Sequence, residues 1–275
     1  MSFELQLVLI GGIIGILGAV LGGVVEALTE DWRAERRERK RKREQDTKTA
    51  LEWAATGRRK RLRRADLRGA DLRGVDLGRG EGKEYGADLS YADLSKADLQ
   101  IAILQRARLE GANLQGAVLR GADLQGAYLG SARLQGADLL EAHLQGAHLE
   151  NANLQGADLF GARLQEAVLR GADLQGANLA AAHLEGAFLP EVKLQGAHLE
   201  NANLRGADRR FADLRGAFLG SANLQRADLR GAKLQGANLS DANFAGAVLE
   251  GAKVDKHTIW PEGFEVPDGV VWVEE

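Results

Sequence analysis

The sequence contains no cysteine, which excludes disulfides, thiolate metal sites and a cysteine nucleophile, and which suits a reducing compartment. Proline (3 residues) and aromatic side chains (5%) are scarce. So few rings do not build an ordinary enzyme core; the 45% hydrophobic content is carried mostly by Ala and Leu. Charge of one sign is also missing locally. Residues 1–30 hold three acids and no base, whereas Asp31 to Arg64 hold 15 Lys/Arg against 6 Asp/Glu. With −3 on the whole chain, residues 65–275 are left at −9. An apolar head, a basic neck and an acidic body follow one another, and the neck is suited to an anionic partner.

From Leu7 to Val25, 19 consecutive residues lack any charged or strongly polar side chain. As a helix rising 1.5 Å per residue they reach roughly 28 Å, close to the thickness of bilayer hydrocarbon. The preceding "MSFE" is acidic and the run exceeds a usual signal-peptide core, so a transmembrane helix over 1–29 is expected. Gly11, Gly15, Ala19 and Gly23 recur every fourth residue, a small-residue stripe suited to helix self-association in lipid. The basic residues lie only on the C-terminal side. Arg33, Arg36, Arg37, Arg39 and Lys40 are candidates for headgroup contact, and they place the N-terminus outside and the body in the cytoplasm of a plasma (inner) membrane, single-pass. Residues 30–57 are rich in helix formers and end at Gly57, which predicts a solvated helical neck whose Leu51 and Trp53 meet the body.

The body is one phrase of five residues, repeated. From Leu89 to Val254 there are 34 central positions, of which 31 are Leu; the exceptions are Arg209, Phe244 and Val254. Two residues earlier, 33 of the 34 are Ala, the exception being Val192. A period of five fits neither a helix nor a long strand. It fits a coil that turns a corner every five residues, with Leu and Ala pointing into a narrow lumen and the other three outward.

"ADLQG", "ANLQG" and "ADLRG" resemble the A(D/N)LXX phrase of the pentapeptide-repeat family, over 62–77 and 87–254. The resemblance implies an all-β solenoid, a right-handed quadrilateral β-helix with four pentapeptides per coil. Thirty-four repeats then make about 8.5 coils, roughly 40 Å at about 4.8 Å each. A first coil is expected over 58–77, a register-breaking loop over 78–86, the main column over 87–254 and a cap over 255–275, with Trp260, Phe264 and Trp272 as the lid. Arg209, where Leu should stand, predicts a bulge that turns it outward, with Phe211 folding over the gap.

With four repeats per coil, residues twenty apart stack. Gln115 to Gln195 and Gln105 to Gln165 form two amide ladders, expected to bond along the column. Tyr128, His148, Val168 and Phe188, with Pro190 beside them, form an apolar stripe that is the candidate partner surface or homodimer seam; Leu140 and Phe160 make a smaller pair opposite. His143, Arg163 and His183 stack too far apart for one zinc ion, about 9.6 Å between the two His. No catalytic, metal or cofactor site is expected. The expected function is a non-enzymatic, membrane-tethered scaffold whose partners are the bilayer and a cytoplasmic or membrane protein, or a second copy; nucleic acid is not expected. The family resemblance offers an alternative, a DNA-mimicking binder of a type II topoisomerase of the quinolone-protecting kind. The outward Asp88, Asp93, Asp98, Asp123, Asp138, Asp158 and Asp173 fit it, while Arg108, Arg133, Arg163, Lys193 and Lys233 interrupt it.

Overall fold

The computed structural model describes residues 34–52, 54, 62–78, 85–208 and 210–274. The apolar segment, the stripe Gly11, Gly15, Ala19 and Gly23, and Arg33, Trp53 and Arg209 lie outside them. The chain divides into two compact units, 1–45 and 46–275. Helix α1 covers 34–52. Within the first unit it exposes Arg36, Arg37, Arg39 and Lys40, with Arg39 on Glu35 at 2.7 Å and Lys40 on Glu44 at 3.8 Å. Among the described residues no helix is long and apolar enough to cross a membrane.

The second unit contains a β-helix column. From Asp88 to Lys233 each residue preceding a central position pairs in parallel with the one twenty further on, as in Arg108 with Tyr128 and Tyr128 with His148. The repeat "ARLEG" (107–111) shows how the backbone is satisfied. Ala107 N–H closes the corner on Leu104 C=O at 3.0 Å. Arg108 N–H reaches back to Ala87 C=O at 2.9 Å, while Leu109 and Gly111 N–H reach forward to Tyr128 and Gly130 C=O at 2.7 and 2.9 Å. The N–H of the remaining residue, just after the central Leu, has no backbone acceptor in this pattern. Asp or Asn supplies one: Asp123 Oδ1 accepts Gln125 N–H at 3.2 Å and Asn153 Oδ1 accepts Gln155 N–H at 3.1 Å. That side-chain acceptor is the physical reason for the D/N of the phrase. Where Phe188 cannot accept, residue 190 is proline, which has no N–H to satisfy.

Leu and Ala fill the lumen: Leu109, Leu129 and Leu149 are at most 1% exposed and Ala107, Ala127 and Ala147 are at 0%. The second residue after each Leu takes a left-handed φ, alone within its turn, the signature of type II. Glycine suits that position, as at Gly136 (φ 59°), yet Glu141 and Ala181 adopt it at 55°.

The loop at 78–86 leaves the column continuous. Asp66 pairs with Asp93 and Asp71 with Asp98, an offset of twenty-seven, so seven extra residues leave and re-enter at one corner. Ala87 N–H closes that corner on Leu77 C=O at 2.8 Å, as Ala107 does on Leu104. At Arg209 the flanking ladder holds, Phe188 with Asp208 and Asp208 with Asp228. Phe211 stays 64% exposed and lays its ring over Gly231, where a Cβ would come within 2.7 Å.

Both ends are closed. At the first coil the last turns of α1 form the lid, through residues other than the expected Leu51. Ala50 is at 0% exposure, Ala54 packs on the core, and Asp46 Oδ2 accepts Asp66 N–H at 2.8 Å, standing in for the carbonyl of a missing coil. Leu51 is 43% exposed and faces away; alanines at i, i+4 permit the closer approach. At the far end Phe244 replaces Leu in the lumen beneath Trp260 (5.8 Å between ring centroids) and Phe264 (4.9 Å). Trp272 does not join this lid. It lies in β2 (Val271–Trp272), parallel to β1 (Lys253–Val254), and is 59% exposed. Asp255, 6% exposed, accepts Gly236 N–H (2.9 Å), His257 N–H (3.1 Å) and Thr258 Oγ1–H (3.0 Å) on Oδ1.

The glutamine ladders bond differently from expectation. Among the described residues no amide donates to another amide; Gln155 Nε2 donates to Asp173 Oδ2 at 2.9 Å and Gln105 to Asp123, each one coil on. A carboxylate is the stronger acceptor, and the D/N of the neighbouring phrase puts one within reach.

Two sets of variants test this fold. Gly136→Ala, whose Cβ would meet nothing within 4 Å, isolates the left-handed penalty and is expected to destabilise by about 1 kcal/mol; Ala181→Gly is expected to stabilise by up to about 1 kcal/mol, both read by chemical denaturation. Asp255→Ala strands buried donors and is expected to cost about 1–3 kcal/mol. Burial raises the Asp255 carboxyl pKa, but the Gly236, Thr258 and His257 donors outweigh it and hold the group below its usual 3.8. Its contribution is therefore present above pH 3.8 and lost as pH falls through the lower folded value, a loss that Asp255→Asn should abolish in acid titrations.

Candidate interaction surface

Because coils repeat every twenty residues, side chains just before the central Leu stand in vertical files about 4.8 Å apart. One file reads Arg108, Tyr128, His148, Val168, Phe188, Asp208. The spacing sets flat rings face to face: Tyr128 stacks on His148 with centroids 4.9 Å apart and planes 2° from parallel. Tyr85, at the end of the corner loop, tilts onto Tyr128 at 5.4 Å. The structure thus brings all four stripe residues together. Phe188 is 37% exposed and the other three are half-buried. Beside the file, Glu150 Oε1 lies 3.3 Å from His148 Nδ1, and Pro190 is buried.

Two further groups are placed by the same register. Leu140 and Phe160 occupy successive coils on the opposite face, Phe160 44% exposed. Sequence reasoning missed the stack of His198 on Phe218 (4.8 Å, 14°), although the two are twenty residues apart. His143 and Arg163 are adjacent rungs, as are Arg163 and His183. Among the described residues no group of three or more His, Asp or Glu is placed to hold a metal ion.

The acidic files are largely neutralised within the chain. In each described "ADLRG" repeat the Arg closes on its own Asp: Arg73 on Asp71 at 2.8 Å, Arg215 on Asp213 at 2.8 Å, Arg230 on Asp228 at 2.6 Å. Hydrogen bonding from Arg73 pushes Asp71 down to about 2, and Arg230 holds Asp228 below the usual carboxylate range. Lys233 reaches Asp213 at 3.2 Å and Lys193 reaches Asp173 at 3.6 Å. Asp88, Asp123, Asp138 and Asp158 spend Oδ1 on a backbone N–H two residues on. These carboxylates belong to the fold before they belong to any partner.

Comparison with known proteins agrees with this architecture. A family profile described as pentapeptide repeats matches in 8 copies, over 58–79, 102–139, 137–176, 157–196, 177–220 and 222–256. Among solved structures, HetL from the cyanobacterium Nostoc sp. strain PCC 7120, a pentapeptide repeat protein involved in regulating heterocyst differentiation, is 36% identical. The match covers 74% of this chain and 94% of that one, with a TM-score of 0.47. Another Nostoc pentapeptide repeat protein, alr5209, is 38% identical over 44% of this chain and 84% of its own, with a TM-score of 0.25. QnrB1, a plasmid-mediated fluoroquinolone resistance protein, is 20% identical over 55% of this chain and 83% of its own, with a TM-score of 0.45. No curated protein matches the chain. On the extent of the profile match and the identity to HetL, the chain belongs to the pentapeptide-repeat family, whose fold is the right-handed β-helix.

Proposed function

We propose that this chain is a non-enzymatic interaction module held at the cytoplasmic face of a plasma (inner) membrane. The observation that carries the interaction reading is the file Tyr128, His148, Val168, Phe188, an apolar strip on a column whose other files are mostly charged or amide. The strip stands on an array of inter-coil hydrogen bonds, so its side chains are presented with little conformational freedom to lose on binding. The depressions on the column lie over glycine corners and are lined by ordinary side chains of the outer files, Gln105, Gln125 and Gln145 beside Gly126 and Gly146, and Lys233, Glu250 and Lys253 beside Gly231 and Gly251. The membrane reading rests on the apolar run Leu7 to Val25 and the basic cluster on its C-terminal side alone, with the small-residue stripe at Gly11, Gly15, Ala19 and Gly23 available for helix association. The topoisomerase alternative is not adopted, because Asp71, Asp208, Asp213 and Asp228 are each closed by a neighbouring Arg and the acidic files carry Arg and Lys rungs.

Fractionation of the tagged full chain tests the tether. It is expected to stay with membranes through an alkaline carbonate wash, with the column protected from protease added outside. Replacing Arg36, Arg37, Arg39 and Lys40 by Gln should weaken retention of that topology. Release by carbonate would rule the anchor out.

A further inference from the structure

The stripe needs an occupant, and its own residue order points to one. Consider a two-fold axis lying in the face, across the column, midway between the His148 and Val168 rungs. A half-turn about it sets a second copy antiparallel, with His148 against Val168, Tyr128 against Phe188 and Arg108 against Asp208. On the other side of the central Leu the same rotation sets Glu150 against Arg170, Gly130 against Pro190 and Glu110 against Arg210. Over these six rungs every charged residue meets one of opposite sign, and the two aromatics meet each other. The match ends at the next rung, where Asp88 would meet Asp228.

A parallel arrangement is the alternative two-fold, and one residue decides against it. Parallel copies would set each rung against itself, leaving Arg170 opposite Val168. Among the described residues Arg170 has no carboxylate within ion-pair distance, whereas Arg108 already lies 3.5 Å from Glu110 and Arg210 lies 2.8 Å from Asp208. In its own chain Glu150 is the next rung of the same file without closing an ion pair on Arg170; antiparallel pairing adds the second copy's Glu150 directly across, on faces stacked about 10 Å apart, where parallel pairing offers Val168. The geometry points to a homodimer made by antiparallel pairing of this face in two copies. It names the occupant that the proposed function leaves open; it rests on that reading for the displayed face and not for the anchor. From rung 108 to rung 208 the contact is only about 24 Å tall and one strand-row wide, which makes it small and reversible.

A charge swap tests it on the full chain in mild detergent, with dimerisation measured by sedimentation equilibrium. This file already carries Arg at 170, 210 and 230 and Glu at 110, 150 and 250, so either residue is compatible with the fold. Glu150→Arg alone and Arg170→Glu alone each create like-charge contacts and should weaken dimerisation roughly tenfold or more. The double variant should restore it. In this cysteine-free chain, Tyr128→Cys and Phe188→Cys proteins, mixed, should be joined by a short bis-maleimide, while neither alone gives a cross-linked pair. A chain that stays monomeric, a double swap no better than the singles, or cross-linking of Tyr128→Cys to itself would overturn the pairing. Dimerisation by a chain that carbonate washes from membranes would retire the anchor and leave the pairing standing.

Discussion

Every coil of this protein depends on backbone groups finding partners in the coils before and after it. In the repeat 107–111, one N–H reaches back to Ala87 and two reach forward to Tyr128 and Gly130. A buried backbone group without a partner costs free energy comparable to a lost hydrogen bond, so the register is fixed as firmly as the core is. The choice of residues follows. Ala and Leu are what a lumen this narrow accepts, glycine suits the left-handed corner, and Asp or Asn serves the one N–H that the neighbouring coils leave over. The same requirement explains the ends, where Asp46 and Asp255 supply carboxylate acceptors in place of absent carbonyls.

A fixed register turns a one-dimensional sequence into readable faces. Residues twenty apart are neighbours whatever their identity, so surface chemistry is decided file by file. Most files are consumed by the fold, through Asp capping, Asp–Arg closure or amide-to-carboxylate bonds. The file through Tyr128 and Phe188 is different, because ring stacking and apolar contact there satisfy no backbone group. Side chains that the fold does not need, on a frame held by hydrogen bonds between coils, are suited to recognition of another surface.

How much of this was legible in the sequence depended on whether a residue obeys the repeat. The lumen could be read from spacing; the twenty-residue files and the aromatic stripe followed once the family resemblance implied four repeats per coil, and the stack of His198 on Phe218 was then equally readable. The lids were not. Leu51 and Trp53 are the contacts expected of the neck; Trp53 lies outside the described residues, and in place of Leu51 the residues Ala50 and Asp46 close the first coil, since a helix lying on an open Leu layer favours small side chains and an acceptor for its unpaired N–H. Trp272 was grouped with Trp260 and Phe264 by type, but a parallel strand pairing carries it outward. The glutamines looked like an amide ladder because like stacks on like; the carboxylates within reach are better acceptors.

The most direct test of this account is amide hydrogen exchange across the column, resolved by residue. The three N–H groups of each repeat that bond between coils should be strongly protected throughout. The N–H after the central Leu should be protected where Asp or Asn precedes that Leu, as at Gln125 and Gln155, and should exchange faster where it does not, as at Gln135 and Arg170. Equal protection at these four positions would contradict the role given to the Asp/Asn side chain, and with it the physical explanation of the repeat.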